Sequence, residues 1–414
     1  MRKLNTIELF AGAGGLLDGF KKTQKYNLVA AVEWLKPQVR TLRNRLKSKY
    51  NMGSLADEIV LNFDIQRSDE LFHGWDDVEY EPSSGLDQLV GKKKIDIICG
   101  GPPCQAYSIA GRVRDKDGMK NDYRNFLFEA YIRVVKQYNP KIIVFENVEG
   151  ILSAIPTGEK ITDLIRSAFS QIGYEIIDDL RAYALLDLSD FGVPQVRRRV
   201  IIVGIRKDKP IDYQKILVRF YNEILEKYKV SKKLTVKDAI GDLPAIYPLK
   251  VPTKRIAYDN SNNINGHKSR YHSPRDQEIF NLLALDIEQN TNKFDSSDKL
   301  IQLYQEKTGK KTNVHKYHVL RWDKPSNTIP AHLKKDGLRH IHPDPLQKRS
   351  ITVREAARLQ TFDDDYEFNE SQVANYEMIG NAVPPLFAEK LALGIFELYK
   401  IIQNEEQKSK ATGD

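Results

Sequence analysis

The chain has 414 residues, a formal net charge of +8 and only two cysteines. This length allows two domains and a sizeable core, and two cysteines exclude a disulfide framework, so we expect a reduced, intracellular protein. The first ten residues lack the apolar core of a signal peptide, and no stretch has the roughly 20 apolar residues that a membrane-spanning helix needs. The positive charge favours an anionic partner, nucleic acid first.

The first half of the chain alternates strands and helices. Apolar runs predict strands at 6–10, 27–33, 95–99 and 141–147, helices near 36–50 and 124–138, and two later strands in "YEIIDDLRAYALL" and "RRRVIIVGI". This alternation predicts an α/β fold with a mostly parallel sheet that helices cover on both faces.

The sequence changes character beyond about Lys207, where apolar periodicity weakens and Lys, Asn, Asp, Pro and Tyr accumulate. Seven of the eight histidines lie between His267 and His342. We therefore predict a smaller, irregular domain over 207–345. This domain is inserted into a larger one, which the segments 1–206 and 346–414 form together.

Regular structure is expected to return near the carboxyl terminus. Thr352 and Glu355 have the spacing of a helix capping box. A last helix is expected near 385–402, beginning at a proline, and its apolar residues suit packing on the sheet. The polar tail that follows it is expected to be disordered.

A glycine-rich loop follows the first predicted strand in "ELFAGAGGLLDGF". Ligands of open α/β sheets bind at the carboxyl ends of the strands, and Gly12, Gly14 and Gly15 let the backbone approach such a ligand closely. The dinucleotide fingerprint G-x-G-x-x-G fails, because Leu17 occupies the place of its third glycine. A nucleoside cofactor without a pyrophosphate fits better, which argues against a nicotinamide oxidoreductase.

Further polar and aromatic residues follow the next strands. Glu33 ends the second strand, where a carboxylate accepts hydrogen bonds from ribose hydroxyls, and Trp34 is placed to cover a purine ring. Asp64 and Ile65 follow a third strand-like stretch and suit the adenine amino group. The alternative is a glycine turn and a strand-end carboxylate with no ligand. The order and spacing of these residues together favour a nucleoside cofactor.

Both cysteines lie in "IDIICGGPPCQAYS". We interpret Cys99, inside the strand, as a small buried hydrophobe. Cys104 follows two prolines at the strand end, where a partly exposed thiol with a lowered pKa acts as a nucleophile. A thiol protease needs a histidine base, and the only histidine in the first domain is His73 in a polar loop. The protease interpretation is therefore poor.

A carboxylate and two arginines are candidate helpers of this thiol. Glu146 ends the strand in "VFENV", whose apolar neighbours favour partial burial over a surface acid. Arg197 and Arg199 in "VPQVRRRV" lie two residues apart, on one face of a strand. The alternative for these arginines is an exposed basic edge, and the functional interpretation is a clamp for an anion or a carbonyl group.

The chain resembles the DNA (cytosine-5)-methyltransferases of bacterial restriction-modification systems. The motifs "FAGAGG", "PPCQAYS", "FENV", "QVRRR", "TVREAARLQTF" and "GNAVPP" match in the family's order over almost the whole chain. This resemblance implies a Rossmann-like S-adenosylmethionine-dependent domain, a flipped-out cytosine in double-stranded DNA as substrate, and a target-recognition domain over 207–345.

The resemblance also implies roles for single residues. Cys104 would add to C6 of the cytosine, Glu146 would hold N3 and the exocyclic amine, and Arg199, supported by Arg197, would hold the O2 side and a nearby phosphate. The cofactor contacts it implies are Phe10, Ala11, Gly12, Gly14, Gly15, Glu33, Trp34, Asp64, Ile65, Pro103, Leu127, Asn381 and Val383. Asn125 stands where the family often has glycine, so the segment around Leu127 carries less weight.

The loop after Cys104 is polar, basic and glycine-containing, and we predict that it closes as a lid over the flipped base. The predicted DNA contacts are Gln105, Ser108, Arg112, Arg114 and Thr328. The spacings H-x-x-H and H-x-H in the inserted domain are compatible with metal binding, but no cysteine lies nearby, so we predict no metal site.

Three alternatives remain beside a DNA methyltransferase. A tRNA cytosine-5 methyltransferase has the same catalytic parts, but it usually carries a "CFT" signature, and no cysteine follows Cys104. A catalytically silent DNA-binding relative is disfavoured by the intact candidate residues. An amino-methyltransferase needs a "PPY"-type loop, which "PPCQ" is not. We expect a monomer in the bacterial cytoplasm, at the nucleoid, that is functionally paired with a restriction endonuclease.

Overall fold

A computed structural model describes residues 2–102, 126–155, 159–253 and 255–411. The chain forms two compact units. The first unit consists of Met1–Phe191, Arg197–Ser231 and Val383–Asp414, and the second of Gly192–Val196 and Lys232–Ala382.

These limits differ from the predicted boundaries at 206/207 and 345/346. Residues that follow 206 still pack on the sheet, because the Tyr221 hydroxyl donates to the Ile201 carbonyl at 2.8 Å and accepts from the Val203 amide at 3.0 Å. The assignment of catalysis to one unit and of target recognition to the other stays a prediction.

The first unit is built on one sheet with the strand order β3-β2-β1-β4-β5-β8-β6, and β7 pairs with β8 outside that order. The strands are β1 Leu4–Leu9, β2 Tyr26–Glu33, β3 Val60–Asn62, β4 Ile97–Gly100, β5 Ile142–Val148, β6 Tyr174–Ile176, β7 Leu185–Asp187 and β8 Arg198–Arg206. Strands β1 to β5 run parallel, and β8 is antiparallel to its neighbours. The predicted α/β fold with a mostly parallel sheet is confirmed.

The described residues contain fourteen α-helices. In chain order they are α1 Gly15–Lys22, α2 Lys36–Tyr50, α3 Leu55–Ile59, α4 Ser68–His73, α5 Gly85–Val90, α6 Phe126–Tyr138, α7 Ile161–Gln171, α8 Tyr213–Arg219, α9 Val236–Ile240, α10 Pro274–Glu288, α11 Ser297–Thr308, α12 Val353–Leu359, α13 Gln372–Asn381 and α14 Pro385–Ala411. Within the described ranges, no helix combines the length and the apolar character needed to span a bilayer.

The last helix returns to the first strands of the sheet. A Cβ atom on Gly19 of α1 would lie 2.5 Å from the Cβ of Ala388, so the two helices meet at van der Waals contact through a glycine. Asp96, just before β4, accepts hydrogen bonds from the Asn5 amide at 2.8 Å and from the Tyr399 hydroxyl at 2.9 Å. Helix α14 is thereby fixed against β1 and β4.

The expectation of a disordered tail is wrong as far as residue 411, because α14 continues to Ala411. Glu406 accepts a hydrogen bond from the Tyr213 hydroxyl at 3.3 Å and forms an ion pair with Lys141. These contacts hold the end of the helix on the first unit, which the polar composition of the tail did not indicate.

The second unit has a buried ionic network around the predicted capping box. The box is present, since the Thr352 hydroxyl accepts from the Glu355 amide at 3.2 Å and the Glu355 carboxylate accepts from the Thr352 amide at 2.7 Å. Arg349 binds both carboxylate oxygens of Glu355, at 2.6 and 2.7 Å. This pairing, with its two parallel hydrogen bonds, satisfies two charges that burial would otherwise penalise.

Buried neutral histidines surround this network. The His342 Nδ1 accepts from the Asp344 amide at 3.2 Å, and the His272 Nε2 accepts from the Ser350 amide at 3.2 Å. Burial lowers the pKa of each of these histidines, and of the buried His340, to about 3. Protonation of His272 or His342 would turn an accepting nitrogen into a donor that faces an N–H group.

We expect the second unit to lose stability as the pH falls below about 6.5. Between pH 6.5 and 3 the unfolded chain protonates these histidines and the folded chain does not, so the unfolded state binds more protons. The free energy of unfolding then falls by about 1.4 kcal/mol per pH unit for each histidine. Thermal unfolding followed from pH 7.5 to 5.0 measures this loss.

The variant His342→Gln should reduce the slope of the unfolding free energy against pH by about 1.4 kcal/mol per pH unit, the contribution of one histidine. His73→Gln is the matched control, because His73 is largely exposed and lies in the first unit. A stability that stays flat between pH 7.5 and 5.0, or equal slopes in the two variants, would contradict the prediction.

Candidate active site

The candidate residues gather at one edge of the sheet. Strands β1 to β5 are parallel, so the residues at their carboxyl ends share this edge. Strand β8 runs the other way, and Arg199 near its start pairs with Val148 at the end of β5. The strand order reverses between β1 and β4, which is the position where open α/β sheets bind ligands.

The glycine loop between β1 and α1 has the open backbone that was predicted. Phe10, Gly12 and Gly14 all have positive φ angles, of 57°, 56° and 82°. This conformation is costly for Phe10, and strained residues of this kind concentrate at functional sites. A Cβ atom on Gly12 would have no atom within 4 Å, so there is open space beside the loop.

Glu33 faces this loop from the end of β2. One carboxylate oxygen accepts from the Gly12 amide and the other from the Leu35 amide, both at 2.8 Å. Burial raises the pKa of Glu33, and the amides of Leu35, Gly12 and Trp34 oppose that rise. A carboxylate has about four acceptor sites, so this group can still accept from a further donor, such as a ribose hydroxyl, beside these three amides.

Trp34 projects from the same strand end with half of its surface exposed. Its indole Nε1 donates to the hydroxyl of the buried Tyr80 at 3.0 Å. The backbone of Tyr80 is fixed in turn, because its amide donates to Asp77 at 3.0 Å and Asp77 pairs with Arg67 at 2.7 Å. This chain of contacts orients the exposed indole, and sequence reasoning missed it because "WDDVEY" has no periodic pattern.

The other predicted cofactor residues have mixed surroundings. Asp64 follows β3 and accepts from the Gln66 amide at 3.0 Å, while Ile65 and Leu127 are buried. Val383 lies two residues before α14 in the first unit, whereas Asn381 ends α13 and belongs to the second unit. Ala11 is buried and Gly15 begins α1, whereas the predicted contact Pro103 lies outside the described residues.

Glu146 and Arg199 form an ion pair beside Gly101. The segment from Gly101 to Cys104, which we call the thiol loop, begins at this residue. The Arg199 Nε lies 3.0 Å from the Glu146 Oε1, and both side chains are mostly buried. The other oxygen of Glu146 would lie 2.6 Å from a Cβ atom on Gly101, so only glycine fits there without displacing the carboxylate. The Glu146 carboxylate therefore packs against Gly101, which lies three residues before Cys104 in the sequence.

The two predicted arginines differ in exposure. Arg197 is 1% exposed, and burial lowers its pKa well below the usual value, with a smaller contribution from the nearby Arg199. Burial also lowers the pKa of Arg199, while Glu146 opposes that effect. Arg198 lies between them and pairs with Glu149 at 3.2 Å near the surface. The structure thus brings Arg197, Arg199 and Glu146 together and leaves Arg198 outside.

Asn147 is a further residue that sequence reasoning missed. It is buried, and its side-chain amide donates to the Pro102 carbonyl at 3.2 Å. Its side-chain oxygen accepts from the Val148 amide at 2.9 Å. This hydrogen bond ties the end of β5 to Pro102, the first of the two prolines before Cys104. The polar side chain within an apolar strand was the available signal.

Several predicted residues lie outside the described residues: Cys104, Gln105, Ser108, Arg112 and Arg114. Cys99 is described, and its expected burial is confirmed. Burial raises the pKa of the Cys99 thiol well above its usual value, so this sulfur is a poor nucleophile.

Thr328 lies in the second unit, where its hydroxyl donates to the Val196 carbonyl at 2.7 Å. Two of the paired histidines have ordinary partners: the His340 Nε2 lies 3.1 Å from the Thr328 carbonyl, and the His315 Nε2 lies 2.9 Å from Arg339. The part of the chain that the structure describes contains no group of three or more His, Cys, Asp or Glu arranged to hold a metal.

This edge of the sheet combines two chemical features. A glycine loop, the Glu33 carboxylate and an exposed indole lie at β1 and β2, and a buried carboxylate–guanidinium pair lies at β5 and β8. The first group suits a nucleoside and the second a polar, planar base. The fold and site define an α/β group-transfer enzyme that acts on a nucleobase.

Comparison with known proteins gives the family. The family of C-5 cytosine-specific DNA methylases matches residues 4–397, and the chain belongs to this family. It is a DNA (cytosine-5) methyltransferase of the type II restriction-modification kind. The type II methyltransferase M.Bpa9945I of Bacillus paralicheniformis is 32% identical over 94% of this chain and 98% of its own length. M.DdeI of Desulfomicrobium norvegicum is 30% identical over 94% of this chain and 88% of its own length.

Solved structures agree with the fold. A prophage-encoded E. coli chain, described as a DNA modification methyltransferase, superposes with a TM-score of 0.64 at 23% identity, over 96% of this chain and all of that one. The S. pombe Dnmt2 methyltransferase superposes with a TM-score of 0.56 at 15% identity, over 97% of this chain and 99% of its own. At such identities the likeness concerns the fold alone.

Proposed function

We propose that the chain transfers a methyl group from S-adenosylmethionine to C5 of a cytosine that has been flipped out of a specific duplex DNA sequence, through a covalent bond between Cys104 and C6. The observation that carries this proposal is the placement of Glu146. Its carboxylate pairs with Arg199 and packs against Gly101, at the start of the thiol loop. A base that entered here would meet an acceptor, a cation and the nucleophile together.

The crevice at β1 and β2 fits the cofactor. The open space beside Gly12 and the free acceptor directions of Glu33 suit a ribose, and the exposed indole of Trp34 suits the face of an adenine. Phe10, Asp64, Ile65, Leu127 and Val383 are proposed to complete these contacts, and Asn381 and Pro103 stay predictions. When bound, the cofactor supplies an electrophilic methyl group on a sulfonium.

We expect Tyr80→Phe to weaken binding of S-adenosylhomocysteine by about three- to tenfold, which corresponds to the loss of one hydrogen bond. The hydroxyl orients Trp34, so its removal should raise the KM for the cofactor and leave kcat unchanged at saturation. Calorimetric titration with S-adenosylhomocysteine measures the affinity.

Tyr138→Phe is the matched control. It removes the same hydroxyl from another tyrosine of the first unit, whose partner is Asp87 at 2.7 Å. Equal cofactor affinity in the two variants would rule out the role proposed for Tyr80.

The residues around the cytosine have separate tasks. The Cys104 thiolate adds to C6, and the electrons of the C5–C6 double bond move to C5, which becomes nucleophilic. Glu146 holds N3 and the exocyclic amine, and Arg199, with Arg197 behind it, neutralises charge on the O2 side. C5 would then bond to the methyl group that the cofactor supplies, as the methyl–sulfonium bond breaks and leaves a thioether. Loss of the C5 proton lets the S–C6 bond break, which restores the double bond and frees the thiolate.

DNA must expose the base before this chemistry. Extrusion of the cytosine costs a few kcal/mol in lost stacking and pairing, which enzymes of this kind repay with contacts in the pocket and on the backbone. Gln105, Ser108, Arg112, Arg114 and Thr328 are proposed DNA contacts, and the loop after Cys104 is the proposed lid. We further propose a cytoplasmic, nucleoid-associated monomer that is paired with a restriction endonuclease.

The proposal is tested with purified protein and tritiated S-adenosylmethionine. One reaction contains duplex DNA of mixed sequence and the other total tRNA. We expect label to enter DNA and to be recovered as 5-methylcytosine. Label in tRNA alone would overturn the proposed substrate, and label in neither, with DNA binding retained, would identify a catalytically silent reader.

A further inference from the structure

Residues 247–253 and 255–259 of the second unit pair as a β-hairpin; we call this segment the 247–259 hairpin. Its two arms pair antiparallel, with Pro248 opposite Tyr258 and the Leu249 amide donating to the Ala257 carbonyl at 2.9 Å. The Thr253 amide donates to the Ile256 carbonyl at 2.9 Å and closes the turn. The described residues of the segment therefore form a two-stranded ribbon.

The root of the hairpin is fixed to the second unit. Ile246, Ala257 and Tyr258 form a small buried cluster. The Tyr258 hydroxyl donates to the Lys348 carbonyl at 2.6 Å, and the Ile246 amide donates to Gln347 at 2.9 Å. An arm held in this way presents its outer residues in a defined orientation.

The outer part of the hairpin exposes large apolar side chains. Val251 is 84% exposed, Ile256 54% and Tyr247 49%, which leaves apolar surface in water that burial would stabilise by roughly 25 cal/mol per Å². Apolar side chains that cluster on a projecting ribbon mark a contact surface.

The charge of the hairpin indicates the kind of partner. Lys250, Lys254 and Arg255 lie within it, and Asp259 at its last position is its only acidic residue. Neither Lys250 nor Arg255 forms an ion pair with any carboxylate that the structure describes. A ribbon with uncompensated cations beside apolar side chains complements an anionic surface with apolar patches. Duplex DNA is such a surface, since phosphates border its grooves and thymine methyl groups line the major groove.

We propose that the 247–259 hairpin lies in a groove of the DNA substrate and reads part of the target sequence. Val251 and Ile256 contact base edges, and Lys250 and Arg255 bind phosphates. A two-stranded ribbon has the width that the major groove admits, and apolar side chains discriminate thymine by its methyl group. This inference rests on the proposed function and assigns sequence reading to named residues.

The test of base reading begins with the wild-type enzyme, whose target is mapped on a randomised duplex pool. Methylation rates are then compared on the mapped site and on every duplex that differs from it by one base pair. Val251→Ala and Ile256→Ala should each reduce discrimination about tenfold at one or two positions. Val373→Ala is the matched control, because Val373 is also 54% exposed but lies on α13, outside the hairpin.

The phosphate contacts are tested by the salt dependence of DNA binding. Arg255→Ala should weaken binding to cognate and non-cognate duplexes alike, and should reduce the slope of log affinity against log salt by about one. Binding of S-adenosylhomocysteine should stay unchanged in all these variants, which shows that each is folded.

Outcomes for the hairpin and for the proposed function are separable. If the wild type methylates DNA and the hairpin variants keep the specificity and salt slope of Val373→Ala, the hairpin inference is wrong and the proposed function stands. If the wild type methylates RNA and no duplex, both are overturned. Altered specificity in Val251→Ala or Ile256→Ala together with intact cofactor binding supports the hairpin as the reading element.

Discussion

Cys104→Ala is expected to reduce methyl transfer by about four orders of magnitude or more in kcat/KM, with cofactor binding unchanged. C5 of cytosine is a weak nucleophile until sulfur adds at C6, and neither Glu146 nor Arg199 can form that bond. Asn147 supports the placement of the thiol loop, since its amide holds the Pro102 carbonyl at 3.2 Å, two residues before Cys104.

The measurement uses tritiated S-adenosylmethionine and duplex DNA, with calorimetric titration of S-adenosylhomocysteine as the test of folding. Cys99→Ala is the matched control, because it removes the other thiol of the chain, which is buried within β4.

A duplex with 5-fluorocytosine at the target adds a direct readout of the covalent bond. Fluorine cannot leave as the proton does, so the adduct should persist on a denaturing gel with the wild type and Cys99→Ala, and be absent with Cys104→Ala. Activity of Cys104→Ala within tenfold of the wild type would refute the covalent mechanism.

The sheet and the candidate cofactor residues could be selected from the sequence for a simple reason. Buried parallel strands are continuous apolar runs, and ligands bind where such runs end. Gly12 and Glu33 could therefore be selected by position alone, and the structure joins them by a hydrogen bond of 2.8 Å. The capping box at Thr352 was equally local, because it depends on two residues three positions apart.

Residues that act through partners far away in the sequence could not be predicted from their position alone. Tyr80 contacts Trp34 across 46 positions, and Asn147 contacts Pro102 across 45. Nothing in the surrounding sequence specifies those pairs. The same holds for the helical tail, whose polar composition suggested disorder while Glu406 finds its partners in Tyr213 and Lys141.

The unit boundaries illustrate a related difficulty. Composition changes near Lys207, but apart from the short excursion Gly192–Val196 the chain leaves the first unit after Ser231, and it returns at Val383. Apolar residues such as Leu217 and Phe220 lie in a polar-looking segment and are nevertheless fully buried. Packing against a preformed sheet, which composition does not report, decides to which unit such a segment belongs.

Glu146→Gln is expected to lower kcat/KM by about two to three orders of magnitude, with affinity for S-adenosylhomocysteine unchanged. The amide keeps the size of the carboxylate and one acceptor oxygen, so the packing against Gly101 survives. It loses the negative charge that pairs with Arg199 at 3.0 Å and that favours a proton on N3 of the cytosine. Without that proton, C6 is a weaker electrophile for the thiolate.

Glu149→Gln provides the matched control, because Glu149 lies three residues further on and pairs with the exposed Arg198 at 3.2 Å. It should stay within about twofold of the wild type, as surface ion pairs contribute little. If Glu146 acts on the addition step, Glu146→Gln should also slow the appearance of the 5-fluorocytosine adduct. A role confined to DNA binding would instead raise the KM for DNA. In that case kcat and the rate of adduct formation at saturating DNA would stay unchanged. A kcat/KM within threefold of the wild type would remove Glu146 from the mechanism. It would leave the buried ion pair with Arg199 as a structural contact that orients the start of β8 beside the end of β5.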